Sequence, residues 1–244
     1  MLCDHPAVMP AESAYHDALG DFYASNANAS AYNAFTDRPA VLGLVGDVLD
    51  ADILDVGCGA GHYAADLLAR GARVTGIDGS ATLLDHARRR VQDRATLRLH
   101  DLEQPLDFAA DGVFDGVVCA LVLHHVANRR QLLSEIRRVL RPSGWLVVST
   151  SHPTADWWRL GGSYYDENWV DLPFGSSSIH FQRMTLETFL GELLDSGFAL
   201  EALVEPRPGI ELQAIDEAAY ARLHERPCFV AVRMRRGGAR SSAR

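Results

Sequence analysis

The sequence contains no lysine, and all 23 of its basic residues are arginines. We attribute this bias to a GC-rich coding sequence. A phosphate loop of the G-x-x-x-x-G-K-[ST] type needs a lysine, so the sequence excludes that kind of site. The 32 acidic residues leave a net charge of −9. Because nucleic-acid-binding proteins usually carry a basic face, this charge argues against DNA or RNA as a partner.

Cysteines are few, and long apolar runs are absent. None of the four cysteines forms a C-x-x-C pair. We predict that Cys58, Cys119 and Cys228 are small buried residues, because they lie in predicted strands or in a strand–helix turn. This usage is typical of the reducing cytosol. The sequence shows no N-terminal signal and no run of about 18 apolar residues, so we expect a soluble, cytoplasmic protein without a membrane partner.

The length of 244 residues fits one large α/β domain and is too short for two. Apolar runs predict the strands, and apolar residues spaced three or four positions apart predict the helices. The first predicted strand begins at Asp52. The later ones cover residues 72–78, 95–100, 114–120, 145–150, 198–204 and 227–234. The predicted helices cover residues 12–25, 63–70, 185–194 and 211–225, and others begin after Asp37, Ser80 and Asn128. In the helix after Asn128 we place Leu140 on the apolar face and Arg129 on the solvent face.

A glycine-dense turn lies between the first predicted strand and the next helix. It reads Gly57-Cys58-Gly59-Ala60-Gly61. Backbone N–H groups at such a helix start can bind a ligand, and glycine allows the ligand to approach closely. The G-x-G-x-G spacing differs from the G-x-G-x-x-G fingerprint of dinucleotide sites. Asp55 would repel a pyrophosphate but can help to hold a cation, so we predict a nucleoside site without phosphate.

The sequence from Asp55 to Gly61, D-V-G-C-G-A-G, resembles motif I of the class I S-adenosylmethionine (SAM)-dependent methyltransferases. The resemblance implies a Rossmann-like seven-stranded, mostly parallel sheet with an antiparallel last strand, flanked by helices. Residues 32–39 are similar to a Y-N-x-x-x-x-R-P element of the small-molecule branch that includes the ubiquinone and menaquinone enzymes. There, N-terminal helices fold over the cofactor. The resemblance is clear over residues 30–150 and loose over residues 185–235.

The resemblance also implies which residues bind the cofactor. Asp78, at the end of the second predicted strand, would accept both ribose hydroxyls. Asp101, after the third strand, would accept the adenine amino group beside the backbone of Leu102. NAD-binding folds use an acid at the position of Asp78 as well, whereas they do not require Asp101. The predicted cofactor residues are Tyr23, Tyr32, Arg38, Asp55, Gly57, Cys58, Gly59, Gly61, Asp78, Gly79, Asp101, Leu102, Ala120 and Leu121.

Two adjacent histidines, His124 and His125, follow the fourth predicted strand, where ligands of open α/β sheets bind. In the family this segment passes beneath the transferable methyl group. Adjacent residues on a helix point about 100° apart, so we expect at most one of the pair to face the cleft. Histidine titrates in the range of a general base, although proximity alone is the alternative. The ordered candidates are His124, His125, His152 and His180, followed by Asp156, Tyr164 and Tyr165.

Residues 151–183 interrupt the strand–helix alternation and are rich in aromatic residues and glycine. We interpret them as an insertion that caps the cleft and recognises a planar or apolar substrate. A β-hairpin or a dimer contact is the alternative. The predicted substrate residues are Trp157, Trp158, Tyr164, Trp169 and His180. The predicted domain, residues 1–235, thus comprises a helical cap (11–50), a SAM-binding core (51–150), this insertion (151–183) and a C-terminal part (184–235), before a flexible tail (236–244).

The predicted function is methyl transfer from SAM to an N or O atom of a small, planar or aromatic metabolite of specialised metabolism, by a monomer or homodimer. Three alternatives stay open: a SAM-binding enzyme with other chemistry, such as cyclisation of SAM or of a substrate; an NAD-dependent oxidoreductase; and a non-catalytic scaffold. No metal is predicted, because His124 and His125 lack H-x-x-x-H spacing and no acid cluster accompanies them.

Overall fold

A computed structural model describes residues 17–174 and 177–237. The strands are β1 (Asp52–Val56), β2 (Arg73–Asp78), β3 (Ala95–Leu99), β4 (Phe114–Ala120), β5 (Leu140–Ser151), β6 (Trp169–Phe174), β7 (Ser177–Gln182), β8 (Phe198–Val204) and β9 (Phe229–Arg236). The helices are α1 (Asp17–Ala27), α2 (Arg38–Val45), α3 (His62–Ala69), α4 (Ala81–Val91), α5 (Arg129–Val139), α6 (Pro153–Leu160), α7 (Leu186–Asp195), α8 (Glu211–Ile215) and α9 (Glu217–Glu225). A π-helical turn, Asn33–Asp37, runs into α2, and a 3₁₀ turn, Leu123–His125, follows β4.

One seven-stranded sheet organises the molecule, in the order β3-β2-β1-β4-β5-β9-β8. The strands from β3 to β5 are parallel, and β9 runs antiparallel between β5 and β8. The predicted Rossmann-like sheet with an antiparallel last strand is therefore confirmed. β1 lies between β2 and β4, so the strands that follow it in the chain are added first on one side of β1 and then on the other. This is the switch point at which open α/β sheets bind ligands, outside the carboxyl ends of the strands.

Apolar side chains bury both faces of the sheet, as expected for parallel strands covered by helices. Ile53 packs with Val41 and Leu67 on one face. Leu54 packs with Ile77 and Leu133 on the other. The alternation along β1 therefore fixes which way each residue of the strand points.

Two predicted helix starts are confirmed by their side-chain caps. The Ser80 hydroxyl accepts a hydrogen bond from the Leu83 N–H at the start of α4. The Asn128 side chain accepts one from the Gln131 N–H at the start of α5. Each cap satisfies a backbone donor that the first helical turn leaves unpaired.

Several predictions about elements are wrong. Leu140 begins β5 instead of ending α5. Arg129 is buried, not solvent-facing, and its guanidinium bonds the carboxylate of Glu192 through Nε and Nη2. The predicted helix 211–225 breaks at Asp216, whose carboxylate caps α9 by accepting the Ala219 N–H.

The cap and the insertion are described in part. Residues 151–183 contain α6 and a two-stranded antiparallel hairpin of β6 and β7, the alternative that the sequence left open. The first part of the predicted helix 12–25, up to residue 16, and the tail from residue 238 onwards lie outside the described residues. In the described ranges, every helix is too short or too polar to cross a bilayer.

Candidate active site

The glycine turn joins the carboxyl end of β1 to α3 and forms one wall of a cavity. Gly57 and Gly59 have φ angles of +66° and +53°, which side-chain-bearing residues rarely adopt. A Cβ on Gly57 would lie 2.3 Å from Cγ2 of Val122. A Cβ on Gly59 would meet only the Tyr23 ring, at 4.0 Å, and would otherwise point into the cavity. Gly57 is thus required for packing, whereas Gly59 leaves room for a ligand.

Asp78, at the end of β2, fixes the turn from the side. One of its carboxylate oxygens accepts the Gly59 N–H and the other accepts the Ser80 N–H, both at 2.8 Å. Asp78 is buried in the protein but lines the cavity. A carboxylate offers about four acceptor positions, so this side chain can also accept hydroxyl donors from a ligand.

The loop after β3 forms the next part of the wall, where Asp101 and Leu102 line the cavity. Asp101 accepts the N–H of Glu103 at 3.0 Å. The Glu103 carboxylate accepts the N–H groups of Ala127 and Asn128, at 2.6 and 2.9 Å. The loop is therefore tied to the start of α5, which holds Asp101 at the cavity edge.

The cavity runs along the carboxyl edge of the sheet and has a volume of about 1440 Å³. Pockets for single small molecules are typically about 300–1000 Å³, so there is room for a nucleoside cofactor and a second molecule. On the β3–β1 side, lining residues include Tyr23, Asn33, Gly57, Gly59, Asp78, Gly79, Asp101 and Leu102. Tyr32 also lines the cavity, with its ring 6.3 Å from that of Phe229 on β9. On the β4–β9 side, they include Ala120, Leu121, His124, His125, Asp156, Trp157, Trp158, Arg159, Phe181, Arg222, Arg226 and Phe229.

Asp55 lies behind the glycine turn, buried and outside the cavity wall. The pKa of its carboxyl is raised to about 7, mainly by burial and also by the negative charge of Asp78, while a hydrogen bond from the Ala64 backbone opposes the shift. Its Oδ2 accepts no hydrogen bond from the described residues. A cation bound near the turn would favour the ionised form of this carboxyl.

The chain after β4 is strained where it enters the site. Leu121 has a φ angle of +59°, and its N–H donates to the Ser149 carbonyl at 2.9 Å. For a residue with a bulky side chain this conformation is a genuine outlier. Such strain concentrates at functional sites, and here it directs the following turn, Leu123–His125, into the cavity.

Both histidines of this turn line the cavity, so the expectation that at most one would face it is wrong. His124 Nδ1 lies 3.0 Å from the Thr150 hydroxyl. His125 Nδ1 lies 2.8 Å from the His180 carbonyl oxygen. A carbonyl only accepts, so the Nδ1 of His125 carries the proton and, in the neutral ring, its Nε2 does not.

Burial is the main cause that keeps both imidazoles neutral. It lowers the pKa of His125 to about 4, although the bond to His180 opposes the shift. It lowers the pKa of His124 well below the ordinary value, and the charges of His125 and Arg129 add to this. Near neutral pH, both rings are therefore hydrogen-bonding groups without charge.

Comparison with known proteins identifies the central part of this fold. Residues 54–148 match the family described as Methyltransferase domain. The resemblance to class I SAM-dependent methyltransferases is confirmed. The matched residues thus contain the glycine turn, Asp78, Asp101 and both cavity histidines.

Similar proteins extend this finding beyond the domain. A ubiquinone biosynthesis O-methyltransferase of Rickettsia conorii is 30% identical over 116 residues, which are 47% of this chain and 40% of that protein. The chain spans about half the length of the curated relatives it matches. A SAM-dependent methyltransferase structure from Mesorhizobium loti has a TM-score of 0.68 and 26% identity, over 86% of this chain and 99% of that chain.

A second solved structure shares the fold at lower identity. It is the 1,6-didemethyltoxoflavin-N1-methyltransferase of Burkholderia thailandensis, with bound 1,6-didemethyltoxoflavin and S-adenosylhomocysteine (SAH). Its TM-score is 0.60 at 20% identity, over 96% of this chain and 93% of that chain. At this identity, the likeness concerns the fold alone.

Outside residues 54–148, two predicted catalytic residues do not line the cavity, contrary to expectation. His152 caps α6 through Nδ1, which accepts the Thr154 N–H, and its Nε2 lies 3.1 Å from the Glu205 carboxylate. Tyr165 is 79% exposed and does not line the cavity. Sequence spacing placed both near a strand end, but neither reaches the cleft.

Three of the predicted substrate residues also lie outside the cavity wall, which corrects the prediction. Trp169 and His180 stack on each other, with ring centroids 4.7 Å apart, and His180 Nδ1 lies 2.9 Å from the Asp171 carboxylate. Tyr164 instead accepts the Leu186 N–H through its hydroxyl. Trp157 and Trp158 do line the cavity.

The inner face of the hairpin carries different residues, which sequence reasoning missed. Leu172, Ile179 and Phe181 line the cavity. In a strand, successive side chains point to opposite faces, so the inward positions alternate with His180. This period of two was the available signal, but it applies only once the segment is recognised as a hairpin.

Among the predicted cofactor residues, Arg38, Asp55, Cys58 and Gly61 are absent from the cavity wall. Arg38 instead donates to the Ala27 carbonyl at 3.1 Å, joining α2 to α1. Sequence reasoning did not assign a cofactor role to Asn33, which lines the cavity and donates to the Tyr23 hydroxyl at 3.1 Å.

Asp156, on α6, is a buried acid that lines the cavity. Burial raises the pKa of its carboxyl to about 6, and the charges of Arg159 and Arg183 oppose that shift. It is therefore ionised at neutral pH but close to titrating. In the described part of the chain, no group of three or more His, Cys, Asp or Glu side chains is arranged to hold a metal ion.

Proposed function

We propose that the protein binds SAM and transfers its methyl group to an N or O atom of a small molecule. One observation carries the proposal: the glycine turn, Asp78 and Asp101 line the same cavity as His124 and His125. That cavity is large enough for two ligands, so a cofactor and an acceptor can meet in it.

The residues present fit SAM on observations from this fold. Asp78 would accept the ribose hydroxyls, and Asp101 would accept the adenine amino group beside Leu102. The open space above Gly59 would receive the cofactor. Oδ2 of Asp55, which accepts no hydrogen bond within residues 17–174 and 177–237, favours a nearby positive charge. The O-methyltransferase activity of the curated relative supports the cofactor. The acceptor atom stays open, because an N-methyltransferase has the same fold.

Bound SAM would supply an electrophilic methyl group and leave as the neutral sulfide SAH. The sulfide needs no proton, so the protein has to place the acceptor in line with the methyl–sulfur bond. Holding the acceptor atom about 3 Å from the methyl carbon supplies most of the acceleration. The aromatic wall made by Trp157, Trp158 and Phe181 would keep water out and favour a planar acceptor.

We assign His125 a positioning role instead of the role of proton acceptor. With a pKa of about 4, its protonation at pH 7 would cost about 4 kcal/mol. Its neutral ring, with the proton fixed on Nδ1, can accept a hydrogen bond from an acceptor O–H or N–H through Nε2. This orients the acceptor lone pair without removing the proton.

Asp156 is the better candidate for the proton acceptor. A general base works best when its pKa lies near the operating pH, and the pKa of Asp156 is about 6. Its carboxylate can take the proton that the acceptor loses as the new methyl bond forms. The sequence analysis ranked Asp156 after the histidines as a candidate base. The pKa values of His125 and Asp156 reverse that ranking.

Calorimetric titration with SAM, SAH and NAD⁺ tests the proposal, with an Asp78→Asn variant and an Asp93→Asn control that makes the same charge change on an exposed residue. We expect micromolar binding of SAM and SAH only, weakened about tenfold or more by Asp78→Asn, since charge-assisted hydrogen bonds to the ribose are lost. The control should match the wild type. Binding of NAD⁺ alone, or of nothing, would contradict the proposal.

Product analysis separates methyl transfer from other SAM chemistry. A methyltransferase forms one SAH for each acceptor that gains a methyl group. Conversion of SAM or of the acceptor without this equal yield would support a non-methylating enzyme on the same fold.

A further inference from the structure

We propose that the acceptor carries an anionic group, a carboxylate or a phosphate, and that Arg159, Arg222 and Arg226 bind it at the end of the cavity away from the glycine turn. The inference rests on the proposed function and names the substrate class of the same site. It starts from the position of these arginines along the sheet.

The arginines lie on the β5–β9 side of the cavity. Arg159 is on α6, which follows β5, and Arg222 and Arg226 lie on or just after α9, which leads into β9. Neighbouring strands are about 4.8 Å apart, and three such steps separate β1 from β9 in the sheet order. The arginine end is thus on the order of 14 Å from the glycine turn.

The charged residues of the cavity wall are distributed unevenly. The end formed by β2 and β3 carries Asp78, Asp101 and Glu103 without an arginine. The other end carries all three arginines of the wall against two acids, Asp156 and Glu225. In a chain with a net charge of −9, this local excess of positive charge would attract and orient an anion.

The arginines are also available for a ligand. All three are exposed, and among the described residues Arg159 and Arg222 make no hydrogen bond or ion pair. Arg226 has only its chain neighbour Glu225 as an ion-pair partner, at 3.4 Å between exposed side chains. Such a pair is weak, so a carboxylate or phosphate that accepts two parallel N–H bonds from a guanidinium can displace it.

Trp158 gives this end of the cavity a flat surface. Its ring is 67% exposed, and the guanidinium carbon of Arg226 lies 3.8 Å from the ring centroid. The stacking holds the Arg226 side chain over the cavity. An aromatic acid could lie along the indole while its anionic group meets the arginines, with its opposite end directed toward His125.

Two fluorescent probes that differ by one sulfonate test this inference on SAH-saturated protein. They are 8-anilino-1-naphthalenesulfonate and its uncharged counterpart N-phenyl-1-naphthylamine. The compared proteins are the wild type, an Arg222→Ala/Arg226→Ala variant and an Arg89→Ala/Arg130→Ala control. The control removes two exposed arginines that do not line the cavity. An Arg222→Lys/Arg226→Lys variant keeps the charge and loses the guanidinium fork.

We expect the wild type and the control to bind the sulfonate more tightly than the neutral probe. The cavity variant should lose about tenfold in sulfonate affinity, because charge-assisted hydrogen bonds are removed, while its affinity for the neutral probe stays unchanged. The lysine variant should retain part of the preference. A wild type without a preference for the sulfonate, or a cavity variant that keeps the full preference, would overturn the inference.

A prior SAH titration of each sample keeps the two proposals separate. Absence of SAH binding contradicts the proposed function, whatever the probes do. SAH binding together with equal affinity for both probes contradicts only the anionic acceptor.

Discussion

Two buried carboxyl groups near the site have raised pKa values, about 7 for Asp55 and about 6 for Asp156. Burial is the main cause for both, but the second cause differs. The negative charge of Asp78 adds to the shift of Asp55, whereas Arg159 and Arg183 oppose that of Asp156. Asp55 is therefore suited to a nearby cation and Asp156 to proton transfer at neutral pH.

Replacing Asp55 with asparagine should stabilise the ligand-free protein more at pH 8 than at pH 5. The folded-state pKa of about 7 lies above the ordinary value of 3.8, so the native state holds a proton that the unfolded chain has lost. Stability therefore falls as pH rises between these values. Urea unfolding should show a gain that grows by about 3 kcal/mol from pH 5 to pH 8.

The matched control for this measurement is Asp93→Asn, a change of the same charge at an exposed position. It should show no comparable growth in stability between the two pH values. An Asp55→Asn gain that is equal at pH 5 and pH 8 would contradict the buried, partly protonated carboxyl.

The pH dependence of turnover should report Asp156. Because its carboxylate must be ionised to accept a proton, kcat/KM should rise with pH through about 6 and level off. Asp156→Asn should abolish this limb and lower kcat about 100-fold. Asp171→Asn, on the outer face of the hairpin, should keep both the limb and the rate. A limb that persists in Asp156→Asn would assign the ionisation to another group.

At the scale of elements, a buried ion pair ties the hairpin to the helices. Arg129 at the start of α5 bonds Glu192 of α7 at 2.6 and 2.9 Å, and its Nη1 donates to Gln182 of β7 at 2.6 Å. The hairpin contributes Leu172, Ile179 and Phe181 to the cavity wall, so this arginine helps to hold these residues in place.

Removal of Arg129 should therefore destabilise the protein by more than the loss of the buried Arg129 side chain alone would do. Arg129→Met leaves the Glu192 carboxylate buried without a partner, at an expected cost of about 3 kcal/mol. An Arg129→Met/Glu192→Met variant should recover most of this loss, and Arg130→Met on the exposed face should change little. Urea unfolding measures all three, and a double variant as unstable as Arg129→Met alone would contradict the explanation.

The parallel core could be predicted from sequence because its signals are local. β1 and β4 contain apolar runs, and β3 alternates apolar and polar residues. Ser80 and Asn128 carry the caps of the helices that begin after them. The burial of Arg129 could not be predicted, since its ion-pair partner Glu192 lies 63 positions away in the chain.

The insertion shows where local signals become insufficient. Aromatic content alone does not distinguish the inner from the outer face of a hairpin, so Trp169 and His180 were assigned to the substrate although they stack outside the cavity. The same holds for Arg222 and Arg226, which resemble an ordinary solvated helix end until the sheet order brings them to the cavity. The proposed cofactor end could be predicted from a local motif, whereas the proposed acceptor end depends on tertiary contacts.

At the scale of the whole molecule, the switch point of the sheet places one large cavity over the carboxyl ends of β1 and β4. Three acids line one end of this cavity, and three arginines with two acids line the other. A positively charged methyl donor and a negatively charged acceptor would therefore enter opposite ends and meet at His125. This polarity depends on the cofactor occupying the glycine turn.

Amide hydrogen exchange with and without saturating SAH tests that position. We expect exchange to slow by about tenfold or more in residues 57–61, 78–80 and 101–103. A ligand at 100 times its Kd lowers the population of locally open states by up to about 100-fold. Residues 198–204, on the far edge strand, should not change, and NAD⁺ should protect none of these segments. Unchanged exchange in the glycine turn at saturating SAH, or equal protection by NAD⁺, would contradict SAM binding at this site.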